Sequence, residues 1–306
     1  MIKSVTPSIS SGLSFQNSDA VSEVADFIAL PSREMILAYL RHAPVALSIR
    51  EINRVLAFQT LVKVGRISVD RPVLDVGCGD AFWWTVMGNL DGIFGVDILP
   101  SELSEAKKKI HAEYSDIANS RPFEDVEFKT IIGNCSLEHV RDLNAALRNM
   151  RKAAASDSTL VLFVPSPNWA YHGRVLSFLL RKLPRLGMMV SGALNGFFQH
   201  WHLYEPPVWK GLLDNAGWKV EKIYTLGNKK SEFLYRLFLL TSFPAFIVKQ
   251  LIGKYPNRLL KYFPDFLLLP WVILMEKALS ASLFSLDNSY DYEYVILAKS
   301  AESKPE

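Results

Sequence analysis

The sequence predicts an α/β protein built on a doubly wound, mostly parallel sheet, with helices on both faces and an apolar helical insertion before the last strand. Two observations carry this. Between residues 71 and 226, short apolar runs alternate with stretches of helical spacing, the signature of repeated strand–helix–strand crossovers. The last apolar run, YEYVILAKS at 292–300, comes only after a long segment rich in Leu, Phe and Tyr at 228–288.

The chain reads in four parts. Residues 1–30 begin MIKSVTPSISSGLSFQNSDA, a polar tail without the apolar segment of a secretory signal, and are expected on a cytoplasmic protein. Residues 31–227 form the core with its N-terminal helices, 228–288 the insertion, and 289–306 the final strand and tail. Within the core, residues 31–64 place apolar side chains at helical spacing, one or two helices. PVLDVG is a buried strand, AFWWTVMGNL a helix, GIFGVDI a strand, and SELSEAKKKIHAEY a helix capped by Ser101. FKTIIGNCS is a strand, LNAALRNMRKAAA a helix, and STLVLFVPSP a strand stopped by prolines. PVWKGLLDNAG is a helix ended by Gly217, and WKVEKIYTL a strand expected to pair with YEYVILAKS at one sheet edge.

Composition narrows the partners. The 34 Lys and Arg against 31 Asp and Glu leave a charge of +3, too small to imply nucleic acid. Cys78 and Cys135 lie far apart and lack ligand spacing, so neither a disulfide framework nor a structural zinc is expected. FLYRLFLLTSFPAFIVKQLI carries Arg236, Pro244 and Lys249, and FLLLPWVILMEK is short, so neither is read as a membrane span.

The stretch LDVGCGDA ends the first strand where a doubly wound sheet binds its ligand. A dinucleotide fingerprint fails because its third glycine position is Phe82, and the phosphate-loop Gly-Lys-Ser/Thr is missing. Asp75 and Asp80 beside the turn would repel a pyrophosphate and favour a cationic ligand. Asp97 at the end of the second strand is placed to accept ribose hydroxyls. A nucleoside with a positive end, S-adenosylmethionine, satisfies both.

VLDVGCGDA, GVDILPSEL, SDIANSRPFEDVEFKTIIGNCSLEHVRDL and LVLFVPSPN, in this order, resemble the class I S-adenosylmethionine-dependent methyltransferases, in particular the type 11-like branch that methylates small molecules. The resemblance covers roughly residues 50–226 and implies a Rossmann-like sheet of seven strands. It also implies that Asp75, Gly77 and Gly79 surround the methionyl part, Asp97 with Ile98 the ribose, and Asp116 with Ile117 the adenine. Asn134 to Ser136 would lie beside the methyl group. The chain departs from the family pattern at Ala81, where a third glycine is usual, at Lys129, and at SDST (156–159). Ala81 keeps open a non-catalytic cofactor-binding or scaffold relative as the alternative.

Methyl transfer needs alignment and exclusion of water, with a base if the acceptor is a hydroxyl. The candidate histidines are His139, His172, His200 and His202, of which His139, His200 and His202 are taken as catalytic, with Tyr171 and Tyr204 as polar neighbours. Two histidines at 200 and 202 without a third ligand do not make a metal site, and none is expected. The expected acceptor is a small or lipid-linked molecule methylated at oxygen. Basic residues scattered through 228–288 suggest a peripheral contact with the inner face of a membrane.

Overall fold

The computed structural model describes residues 30–170, 174–227, 229–279 and 293–301. The tail at 1–29, Tyr171 and His172, and the end of the insertion at 280–292 lie outside the described residues.

Seven strands form one sheet in the order β3-β2-β1-β4-β5-β7-β6. They are β1 (Val73–Val76), β2 (Ile93–Asp97), β3 (His111–Tyr114), β4 (Phe128–Asn134), β5 (Ala154–Pro165), β6 (Trp218–Leu226) and β7 (Glu293–Ser300). The first five run parallel, and β7 is antiparallel to both β5 and β6. The strand order therefore reverses between β1 and β4, which puts the ligand crevice at their carboxyl ends.

The helices in chain order are α1 (Arg33–His42), α2 (Val45–Lys63), α3 (Phe82–Met87), α4 (Pro100–Ala106) and α5 (Leu143–Ala153). After β5 come α6 (Arg174–Lys182), α7 (Pro184–Phe198) and α8 (Pro206–Asn215); α9 (Lys229–Ile252) and α10 (Leu269–Leu279) follow β6. Alternation along each strand divides the core. Val73, Ile132, Phe163 and Val295 pack towards α1, α2 and α10, while Leu74, Ile131, Leu162 and Ile296 pack towards α5 and α8. Ser32 caps α1 by accepting from Met35 N at 3.1 Å, and Asp142 caps α5 by accepting from Ala145 N at 2.9 Å. Arg50 and Arg54 of α2 face Glu293 at the start of β7, with Arg50 Nε donating to its carboxylate at 2.5 Å.

Three local expectations are corrected. The helix expected over 101–114 ends at Ala106, and HAEY is instead edge strand β3 paired with β2 from Phe94↔His111 to Asp97↔Tyr114. An edge strand with both faces partly open carries no alternation to mark it in sequence. Ser101 is not the cap: Leu99 holds that position and Pro100 starts the helix. Pro244, expected to interrupt the apolar stretch, sits inside the continuous helix α9. By length and composition Lys230–Ile252 is long and apolar enough to cross a membrane, with 22% of it buried.

Candidate active site

Three loops meet at the carboxyl ends of β1, β2 and β4. The turn after β1 is fastened to β2 because Gly77 N and Cys78 N both donate to Val96 O, at 2.8 and 3.0 Å. Gly77 adopts φ +79°, and a Cβ there would stand 2.4 Å from Ser136 Cβ in the loop after β4. Gly79, at φ +53°, faces open space, leaving bare backbone for a ligand to approach.

Asp97 is held in place by two backbone donors, Gly79 N to Oδ2 and Leu99 N to Oδ1, both at 2.8 Å. Each carboxylate oxygen keeps a free lone pair, so ribose hydroxyls can still donate to it. Ile98, 56% exposed, presents unspent apolar surface beside it. Asp116 accepts from Ala118 N at 3.0 Å and from Asn119 Nδ2 at 3.2 Å. Ile117 is buried in the core beneath α5, so it supports this loop from below instead of lying open to a ring. Asn134 Nδ2 donates to Glu51 at 3.4 Å, while its buried Oδ1 has no partner in the protein, an acceptor suited to an ammonium donor.

The two acids of the turn are used differently from the sequence expectation. Asp75 is buried and accepts from Trp84 Nε1 at 2.8 Å, and burial pushes its carboxyl up to about 7. Asp80 pairs with Arg258 of the insertion at 2.6 Å. That contact, with Lys249–Glu102 at 2.8 Å and Lys254–Glu105 at 3.3 Å, ties the insertion to the turn and to α4. Ala81 occupies the left-handed region at φ 57° with its side chain in the core, so its methyl does not narrow the crevice. Lys129 and SDST lie at the amino-terminal ends of β4 and β5, opposite the crevice.

Of the three candidate histidines, the fold joins two. His139 and His200 stack with ring centroids 5.4 Å apart, next to buried Glu138. Gln199 at φ 54° turns the chain out of α7, Trp201 N donates to Glu138 O at 2.8 Å, and the two segments are thereby locked together. Burial lowers His200 to about 3, which leaves it neutral and a poor base. His202 stands apart, its Nε2 at 2.7 Å from Val140 O and its Nδ1 at 3.0 Å from Tyr204 Oη, a structural tie. Glu51 and Glu138 are site carboxylates that the pattern did not single out as functional. Glu51 sits on an ordinary core-facing helix, and only its contact with Asn134 marks it.

A glycine turn at the strand-order reversal, a ribose-placed acid and an unspent apolar face define a nucleoside-cofactor site of the Rossmann-like kind. The profile of a family described as a methyltransferase domain matches residues 39–223, more than half of the chain. The chain belongs to that family: it is an S-adenosylmethionine-dependent methyltransferase. No curated protein sequence matches it. Among solved structures, it is similar to a S-adenosylmethionine-dependent methyltransferase from Archaeoglobus fulgidus at 17% identity, covering 81% of this chain and 94% of that one, with a TM-score of 0.43. A S-adenosylmethionine-dependent methyltransferase from Mesorhizobium loti shares 14% identity over 79% and 97% of the two chains, with a TM-score of 0.44. The YcgJ protein from Bacillus subtilis shares 14% over 81% and 99%, with a TM-score of 0.46.

Proposed function

We propose that the protein methylates a hydroxyl of a small or lipid-linked acceptor presented at the inner face of a membrane. The observation that carries this reading is the apolar surface of α7, which leads into the His200 segment beside the loop after β4, and of α9 in the insertion tied to the glycine turn and α4. Met188 and Met189 of α7 are 68% and 70% exposed, and Leu240 and Leu251 of α9 are 82% and 79% exposed. The two segments adjoin, since Phe197 packs on Phe243 and Phe198 on Phe246. Residues 166–204 contain no acid, and Arg181, Lys182 and Arg185 lie exposed among the apolar side chains. Such a mixture suits the headgroup region of an anionic bilayer, with α9 lying against it.

When bound, S-adenosylmethionine supplies an activated methyl group, so that the C–S bond breaks as the C–O bond forms and the electron pair stays on sulfur. Asp97 would orient the ribose, and Asn134 Oδ1 would accept from the methionyl ammonium. The insertion, fastened at Asp80, Glu102 and Glu105, excludes water. His139 receives the acceptor proton: Gln199 O lies 3.1 Å from its Nδ1 and fixes that atom as the donor, which leaves Nε2 to take the proton.

The test is transfer of labelled methyl groups from S-adenosylmethionine to a membrane extract, followed by mild base to separate esters from ethers and by lipid partition. Label in the lipid fraction attached through oxygen supports the reading. Label on nitrogen or carbon overturns it, and label through oxygen only on water-soluble products restricts the acceptor to a small molecule and removes the membrane part.

A further inference from the structure

Glu138, His139 and His200 bring one carboxylate and two imidazoles together, with one ligand atom from each lying within 4.8 Å of the others. Gln199 O takes the Nδ1 proton of His139, so the Nε2 lone pair of that ring points to Glu138 Oε1 at 3.7 Å. Glu138 is 1% exposed and its Oε2 makes no hydrogen bond, and Nδ1 of His200 is likewise buried without a partner. A buried carboxylate with an unpaired oxygen beside two imidazole nitrogens gives a cation a ready set of ligands.

We propose that Glu138, His139 and His200 bind a divalent transition-metal ion of the zinc type beside the acceptor. Two histidines and one carboxylate are the ligand set of open zinc sites, in which a further position stays free for an oxygen ligand. Bonds of about 2.0–2.1 Å require ligand atoms about 3.3 Å apart, within reach of small side-chain rotations from the separations present. The Gln199 carbonyl then serves as the outer hydrogen-bond acceptor that orients a ligating imidazole. Arg50 of α2 is shared with Glu293. Binding of the ion stands on this geometry alone, whereas its use rests on the hydroxyl-acceptor reading. With the ion present, His139 is a ligand and no longer the base of the reading above; the metal would polarise the acceptor oxygen, whose proton passes to bulk water as the acceptor binds, before water is excluded.

The experiment is titration of the full chain with Co²⁺ alone, read by visible d–d absorption and by equilibrium dialysis. One ion per chain is expected, with affinity lowered about tenfold or more in Glu138→Gln and His200→Gln that still bind S-adenosylhomocysteine. Absence of retained Co²⁺ in the wild type, or uptake unchanged in both variants, overturns the proposal. If the variants at the buried positions fail to fold, His139→Gln, at a half-exposed ring, decides by the same readout. Oxygen methylation by a protein that holds no metal removes the ion and keeps the acceptor reading; metal binding without oxygen methylation does the reverse.

Discussion

Ser136 lies directly over Gly77: its Oγ donates to Val76 O at 2.5 Å, and a Cβ on Gly77 would stand 2.4 Å from its own Cβ. The contact joins the loops after β1 and β4 across the strand-order reversal. Gly77→Ala should therefore cost about 2–5 kcal/mol, from the left-handed φ and from overpacking together. Gly77→Ala with Ser136→Gly should recover the steric part and leave the conformational part. Denaturant unfolding of the two variants measures this, and equal losses would show that the contact is not the cause.

Asp97→Ala should weaken S-adenosylhomocysteine binding by about 1.5–3 kcal/mol through loss of charge-assisted bonds to the ribose. The same change frees Gly79 N and Leu99 N, so the glycine turn should also lose order. Calorimetric titration gives the affinity, and amide exchange at Gly79 reports the turn. Unchanged affinity would remove Asp97 from the cofactor site.

Asp75 should make the ligand-free protein less stable as pH rises from about 4 to 7. Burial lifts its carboxyl from 3.8 to about 7 in the folded chain. Across that window the folded state keeps a proton that the unfolded state has lost, so each rise in pH favours unfolding, and above about 7 the loss is complete. Asp75→Asn keeps an acceptor for Trp84 Nε1 and removes the titration. The stability difference between variant and wild type should grow across the window by up to about 4 kcal/mol. Parallel stability curves from pH 4 to pH 8 would contradict this.

Flotation with anionic liposomes tests the membrane contact. Wild type should float at low salt, and Met188→Glu with Leu240→Glu should reduce partitioning about tenfold per site, because burying such side chains contributes about 1.5–3 kcal/mol each. High salt should weaken binding only in part, since the exposed basic residues are screened while apolar burial is not. Wild type that stays in the soluble fraction without salt would end the membrane reading.

Strand-and-helix alternation was legible where burial imposes a period. Leu74, Ile131, Leu162 and Ile296 sit in strands covered on both faces, and their apolar runs announce this. β3 was hidden because an edge strand owes its existence to pairing with β2, and its half-open faces leave no apolar alternation in HAEY. The glycine turn and Asp97 were legible for a different reason: left-handed φ and a strand-end acid are local demands on single residues.

Local periodicity and motifs whose residues lie within one crossover of each other set the sheet apart from β3, the methyltransferase class and the cofactor. Which charges are spent and which remain follows from contacts made in three dimensions. It paired Asp80 with Arg258, buried Asp75 under Trp84, separated His202 from His200, and set Glu138 and His139 against a ring some sixty positions later in the chain. The reason is physical: desolvation and Coulomb energy depend on distance in space, and folding makes those distances independent of separation along the chain.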